Sequence, residues 1–241
     1  TITISMNAWI KLFDSNHTIY ANARHRSAHF KLIANDIASY IRSKDEIVLD
    51  FCSGEAISAS KVSDLCAQLF LAEPAPGLRA RIDERFETNN KIIVISLEEV
   101  YSMPDDSVDL IVMHSVAQYM TKQEINLALI NIRRILRSSG VFIIGDIINP
   151  KSNALIDAID LLNFGFEEGF LFSAIFSLIR TYFSSYRKIR SQNGLTSYTD
   201  IEIKNKLFSY GFESLKELRN IGHNQHRATF ISRISDLTPN K

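Results

Sequence analysis

The residues whose types and spacing best suit chemistry lie in Val48-Leu49-Asp50-Phe51-Cys52-Ser53-Gly54-Glu55-Ala56. An acidic side chain closes an aliphatic run there, and small residues turn the chain toward an amphipathic stretch. Small residues let a ligand approach the backbone, and a helix start behind them offers free amide hydrogens. A pyrophosphate site would call for Gly-x-Gly-x-x-Gly, which the loop lacks, so a nicotinamide-dependent oxidoreductase is disfavoured. His114, Ser115, Gln118 and Tyr119 form a second group. An imidazole with an ordinary pKa of about 6.5 can take a proton from a hydroxyl near neutrality, while a packing histidine is the competing reading. A third group, Tyr20, Arg24, His25 and His29, falls at helical spacing. Two histidines four apart suit a metal, yet no third ligand is apparent in the sequence, and none is expected to bind.

The elements that must position these groups read as strands alternating with helices. Ile47 to Phe51, Gln68 to Ala72, Lys91 to Ile95, Val108 to His114 and Val141 to Ile148 are apolar nearly throughout, as strands buried on both faces must be. Helices are expected up to Cys66, from Gly77 to Glu87, and from Gln123 to Leu136, with Gly140 supplying a left-handed cap for the last. A helical lead-in carries Ile10 and Phe13, then Phe30, Ile33, Ile37 and Ile41. Thr199-Asp200 starts a helix to Tyr210, and strand candidates follow near Glu213 to Leu218 and Arg227 to Ile234. The expected fold is α/β: a doubly wound, mostly parallel seven-stranded sheet with N-terminal helices and a helical lid insert. In such sheets the ligand lies beyond the carboxyl ends of the strands, so Asp50 to Ala56, Glu73 and His114 to Tyr119 should share one rim.

With 241 residues, 46% hydrophobic content, and only 9 Gly and 5 Pro, the chain can bury one large core. The 27 basic residues balance the 27 acidic ones, so no global field favours nucleic acid or an anionic membrane. Two cysteines make no disulfide framework, and a reducing, cytoplasmic setting is expected. Neither a secretory signal nor a stable membrane anchor is expected from the apolar runs.

Asp50, Cys52, Gly54 and Ala56 resemble motif I of the class I S-adenosylmethionine-dependent methyltransferases, commonly acidic-x-Gly-x-Gly-x-Gly. Two of its three glycines are replaced here. The replacement is tolerable if φ stays negative at Cys52 and Ala56, and weakened cofactor binding is the alternative reading. The rest of the family pattern follows in order: Ser102 to Asp109, Arg134 to Val141, and Tyr198 to Phe212. The resemblance covers 47–148 well and 195–234 loosely. It implies S-adenosylmethionine as cofactor, with S-adenosylhomocysteine as product. It places Asp50, Cys52, Ser53, Gly54 and Ala56 against the cofactor, with Glu73, next to Pro74, accepting from both ribose hydroxyls. Many members bind the adenine amino group with an Asp after the third strand; Leu97 stands at that place, so Glu98 is expected to do this work with Leu97 on the ring. His114 and Ser115 would add cofactor contacts, and Tyr20 or Arg24 would hold the methionine carboxylate.

The chain thus divides into a lead-in (1–44), a cofactor-binding core (45–150), an aromatic insert (151–194) and a return to the sheet (195–241). The expected reaction is methyl transfer to a small, apolar or aromatic acceptor, with oxygen the preferred nucleophile and His114 the candidate base. Tyr119, Phe166 and Phe170 are the candidate acceptor contacts. Aromatic residues at helical spacing also suit a core or a homodimer interface, so a homodimer through the insert is open. A nucleic-acid acceptor is not expected, since no aromatic-proline catalytic tetrapeptide is present. The alternative is a non-catalytic module of the same fold that binds the cofactor or its product.

Overall fold

The computed structural model describes residues 5–14, 20–152, 154–182 and 195–235. The chain runs α1 (Ser5–Asp14), α2 (Ala23–Ala38), β1 (Ile47–Phe51), α3 (Ala59–Ser63), β2 (Gln68–Ala72), α4 (Pro76–Phe86), β3 (Ile92–Ile95) and α5 (Leu97–Tyr101). It continues β4 (Val108–His114), α6 (Lys122–Ile135), β5 (Leu136–Ile147), α7 (Ala154–Glu167), α8 (Leu171–Tyr182), α9 (Asp200–Ser209), β6 (Phe212–Lys216) and β7 (Ala228–Ile234). The strands form one seven-stranded sheet in the order β3-β2-β1-β4-β5-β7-β6. The pairs from β3 through β5 are parallel, while β7 lies antiparallel to β5 and β6.

Successive residues of each central strand enter different cores. Leu49, Phe51, Ile111, Met113, Phe142 and Ile144 pack on one face with α6 and α9, whereas Val48, Leu110, Val112 and Ile143 pack on the other with α2, α3 and α4. A period of two with both phases apolar is how a sequence specifies a sheet covered on both sides. α6 shows the helical counterpart: Thr121 and Glu124 form a capping box, and Ile125, Ala128, Leu129, Ile132 and Ile135 are buried along one stripe.

Two elements depart from the sequence expectation. The helix after β1 is only Ala59–Ser63 and does not reach Cys66. Gly140 is no helix cap either, because α6 stops at Ile135, Leu136 is already extended (φ −72, ψ 129), and Gly140 lies inside β5. The pairing with β4 jumps from Val108↔Leu136 to Leu110↔Val141, so Arg137 to Gly140 take up a register shift. A Cβ at Gly140 would lie 2.8 Å from the Arg137 carbonyl, so this glycine serves close approach instead of a left-handed turn. No helix among the described residues is long and apolar enough to cross a membrane.

After β3 the chain returns to the far side of β1 and lays down β4, so the loops leaving β1 and β4 diverge at the carboxyl edge. That divergence opens the crevice in which α/β sheets of this kind bind ligands.

Candidate active site

The loop after β1 takes left-handed backbone at Cys52 (φ 61), Gly54 (φ 58) and Ala56 (φ 44). The expectation of negative φ at Cys52 and Ala56 is therefore corrected: the turn keeps a glycine-type path without the glycines, at about 1–2 kcal/mol for each such residue. Gly54 faces open space, with nothing within 4 Å of where a Cβ would stand. Its amide donates to Glu73 Oε2 (3.1 Å), and the Ala75 amide donates to Glu73 Oε1 (2.8 Å). Ser53 N–H donates to the Ala72 carbonyl (2.9 Å), while the Ser53 hydroxyl is buried without a hydrogen-bond partner. Burial raises the Glu73 carboxyl to about 7 against the pull of those two amides. Asp50 is likewise pushed to about 7, first by burial and then by the Glu73 charge. Burial, with Glu73 and Asp50 nearby, also pushes the Cys52 thiol well up, so it is no nucleophilic thiolate.

These groups form one wall of a cavity of about 510 Å³, which is the size of a small-molecule site. The opposite wall starts at the ends of β4 and β5. Ser115 (φ 59) and Asp146 (φ 63) also have left-handed backbone. Ser115 Oγ donates to Asp146 Oδ2 (2.7 Å), Gln118 Nε2 donates to Ser115 Oγ (3.0 Å), and Arg227 pairs with both Asp146 (2.9 Å) and Asp157 (3.3 Å). His114 lines the cavity with Nδ1 buried and unpartnered. Its ring is clamped between Gly145, where a Cβ would meet Nδ1 at 3.1 Å, and Gly222, where one would meet Nε2 at 3.7 Å. Burial lowers its pKa against the opposing charges of Asp146 and Asp36, so the ring is neutral at pH 7.

Helices line the remaining sides of the cavity. Trp9 and Phe13 of α1 pack on Tyr119 with ring centroids 4.6 and 5.8 Å apart. α1 is anchored by Asp14, whose carboxylate accepts from the Leu78 amide (3.0 Å) at the start of α4, where the N-cap residue, Ala75, has no side-chain acceptor. Gly77 allows the approach, since a Cβ there would lie 2.7 Å from Asp14 Oδ1. α2 contributes His25 and His29 and is tied to the β1 loop by the Arg26–Glu55 ion pair. Asp157, Ala158 and Leu161 of α7 and Ser177 and Leu178 of α8 complete the roof. Two imidazoles join the roof to the core: His25 stacks on Phe170 (4.6 Å, 13°) and His223 on Phe164 (4.7 Å, 10°). The rings of His29 and His223 are 6.1 Å apart. Burial first, then neighbouring imidazoles, lowers the pKa of His25 (to about 4) and of His29. Among the described residues no group of three or more His, Cys, Asp or Glu side chains is arranged to hold a metal.

The fold thus brings Asp50, Cys52, Ser53, Gly54, Ala56, Glu73, Pro74, His114, Ser115, Tyr20 and Tyr119 to one cavity. It does not bring Leu97, Glu98, Arg24, Phe166 or Phe170 to that surface. Ser96 and Glu99 form a capping box that starts α5, which turns Leu97 onto the sheet core and leaves Glu98 exposed. Arg24 is exposed and lies over Gly169. Phe166 is 76% exposed, and Phe170 backs His25 from outside the cavity. Sequence reasoning missed Trp9, Asp146, Asp157, His223 and Arg227. Of these only Asp146, an acidic residue near the end of a strand, carried a signal of the kind used for Asp50. The sequence makes the end of the insert locally basic at Arg180, Arg187, Lys188 and Arg190; Arg180 lies in α8, and the other three lie outside the described residues.

Comparison with known proteins agrees with this geometry. A family model described as a methyltransferase domain matches residues 49–144. No curated protein matches the sequence. Among solved structures, PigF with S-adenosylhomocysteine is 18% identical (TM-score 0.55), over 82% of this chain and 53% of that one, so the chain spans about half of that neighbour's length. The 1,6-didemethyltoxoflavin-N1-methyltransferase of Burkholderia thailandensis, solved with 1,6-didemethyltoxoflavin and S-adenosylhomocysteine, is 12% identical (TM-score 0.55), over 86% and 78% of the two chains. A chain from the complex between the Haloferax volcanii Trm112 methyltransferase activator and a putative methyltransferase is 10% identical (TM-score 0.61), with both chains fully covered. At these identities the neighbours establish the fold, and the family model identifies the segment that carries motif I. Residues 49–144 match a methyltransferase domain, and the fold around them is that of methyltransferases solved with S-adenosylhomocysteine, which implies S-adenosylmethionine as the cofactor.

Proposed function

We propose that the chain transfers a methyl group from S-adenosylmethionine to a small aromatic acceptor, most readily at a hydroxyl oxygen, inside this cavity. The observation that carries this reading is the glycine-type backbone at Cys52, Gly54 and Ala56, set against the Glu73 carboxylate. The residues fit the cofactor: Gly54 leaves a cradle open, the buried Ser53 hydroxyl lacks a partner, and each Glu73 oxygen keeps a lone pair beyond its amide bond. Glu73 would hold the ribose hydroxyls, and the loop from Cys52 to Ala56 would lie along the cofactor. When bound, the cofactor supplies an electrophilic methyl group.

The protein's part is to align the acceptor, exclude water and take up a proton. Alignment alone contributes roughly 7 to 11 kcal/mol in well-positioned reactions, so an elaborate catalytic set is unnecessary. Trp9, Phe13, Leu161 and Leu178 give the cavity an apolar lining that disfavours water beside the acceptor. His114 is neutral and lines the cavity, so it would be the group that accepts the acceptor's hydroxyl proton. The toxoflavin methyltransferase, solved with a small molecule beside product cofactor, is a precedent within the fold.

The test is isothermal titration with S-adenosylmethionine and S-adenosylhomocysteine, followed by a labelled-methyl assay on a panel of phenols, anilines and thiols. Micromolar binding and a methylated phenol whose yield falls in His114→Ala support the proposal. Binding without transfer to any acceptor replaces it with the non-catalytic module.

A further inference from the structure

The helices that roof the cavity present two opposite faces. Asp157, Ala158 and Leu161 of α7 and Ser177 and Leu178 of α8 face inward. Leu155, Ile159 and Phe166 recur at helical spacing on the other side of α7, as do Phe172, Ile175 and Phe176 on α8, and all six are exposed. Because both helices turn their inner faces to the same cavity, both stripes look away from the core as one surface.

We infer that this surface is the interface of a symmetric homodimer, in which each copy clamps the other's cavity roof. Area supports it. Phe166, Phe172 and Phe176 are 76%, 80% and 72% exposed. At roughly 200 Å² per aromatic side chain they present on the order of 450 Å². With the three aliphatic residues the face approaches the roughly 800 Å² that each partner gives to a standard interface. It exceeds what a monomer ordinarily leaves in contact with water.

Area and self-complementarity single out a second copy as the occupant. Neither Lys nor Arg occurs in α7, and two of its three acids, Asp157 and Asp160, turn toward Arg227 and His226, while Glu167 is exposed at the end of the helix. On α8 the residues from Leu171 to Ile179 are uncharged and Arg180 follows them. A self-complementary apolar patch closes on itself about a two-fold axis. The hairpin otherwise rests on the core through the small cluster of Phe164, Phe170 and Ala174, so pairing also steadies the roof.

Sedimentation equilibrium of the full chain tests the inference. Wild type should sediment at twice the chain mass, and Phe172→Glu with Phe176→Glu should give monomer with unchanged far-UV circular dichroism. Leu218→Glu, at an exposed apolar residue elsewhere, should remain dimeric. If the double variant misfolds, Phe172→Ser alone provides the reading: the dimer dissociation constant should rise about tenfold or more. A monomeric wild type overturns the inference, as does a dimer indifferent to Phe172. So does a monomer that instead co-sediments with phosphatidylglycerol vesicles.

Discussion

The two sides of the cavity are held by different means. The motif I wall hangs on β1, paired on both sides in a parallel sheet whose Val48, Leu49 and Phe51 are fully buried. Its shape resides in backbone: three left-handed residues in five, pinned by amides on Glu73. The roof resides in side chains, namely two imidazole–phenyl stacks, a small apolar cluster and an outer face left to solvent. Backbone geometry on a buried sheet is stiff and tolerates little, whereas stacked side chains on a helix pair can separate with modest local loss. Cofactor affinity should accordingly respond to small changes in the wall, and stability and pH behaviour to changes in the roof.

Gly54→Val attacks the wall most directly and carries the largest expected effect. A β-branched residue at φ 58 is strained, and its side chain fills the open cradle. Affinity for S-adenosylhomocysteine, read by titration calorimetry, should fall about 100-fold or more, near 3 kcal/mol. Glu73→Gln follows. The amide keeps the shape but surrenders the charge that accepts from Gly54 and Ala75, so a loss of roughly tenfold to a hundredfold is expected. If neither variant changed the affinity, the cofactor would not lie on this wall.

The roof is tested by pH. His25 titrates at about 4 in the folded protein, against 6.5 ordinarily. Its stabilising contribution is therefore complete above 6.5 and is lost as pH falls toward 4, amounting to about 2 kcal/mol by pH 5. Asp50 and Glu73, raised to about 7, act with the opposite sign: their contribution is complete below their ordinary values near 4 and is lost as pH rises through 7. The wild-type profile mixes both, so the clean quantity is the difference between wild type and His25→Phe. Urea denaturation should show that difference shifting by about 2 kcal/mol in favour of the variant between pH 7 and pH 5. A constant difference would mean that the imidazole stays solvated and the roof is open.

The contrast between wall and roof also explains what could be read in the sequence. β1, β2 and β4 were delimited to the residue, because fully buried parallel strands are unbroken apolar runs ended by turn residues. The small residues after Asp50 marked the wall because close backbone approach has a compositional signature. Glu98 was misplaced because a local device, the Ser96–Glu99 capping box, starts α5 immediately after β3 and carries Glu98 into solvent. Phe166 and Phe170 looked equivalent, yet α7 ends between them and they take opposite fates. His223 and Arg227 carried no signal, because a loop between antiparallel strands brings them to the site, Arg227 reaching Asp146 across 81 residues of chain.

The smallest effect concerns the glycines missing from motif I. Left-handed φ costs a non-glycine residue about 1–2 kcal/mol, while glycine loses about 0.5–1 kcal/mol more backbone entropy on folding. Restoring glycine should therefore stabilise the fold by up to about 1 kcal/mol, raising Tm by roughly 2–4 °C in a chain of this size. Opposing that gain is whatever the Cβ atoms pack against. Cys52 touches the core that α6 covers, and Ala56, 6% exposed, touches the one under α2 to α4. Ala56→Gly, with only a methyl group to lose, should show the larger rise by calorimetry, and Cys52→Gly the smaller, with product-cofactor affinity kept in both. Should Tm fall in both variants, side-chain packing would outweigh backbone strain in this loop, and wall and roof would be built on the same principle after all.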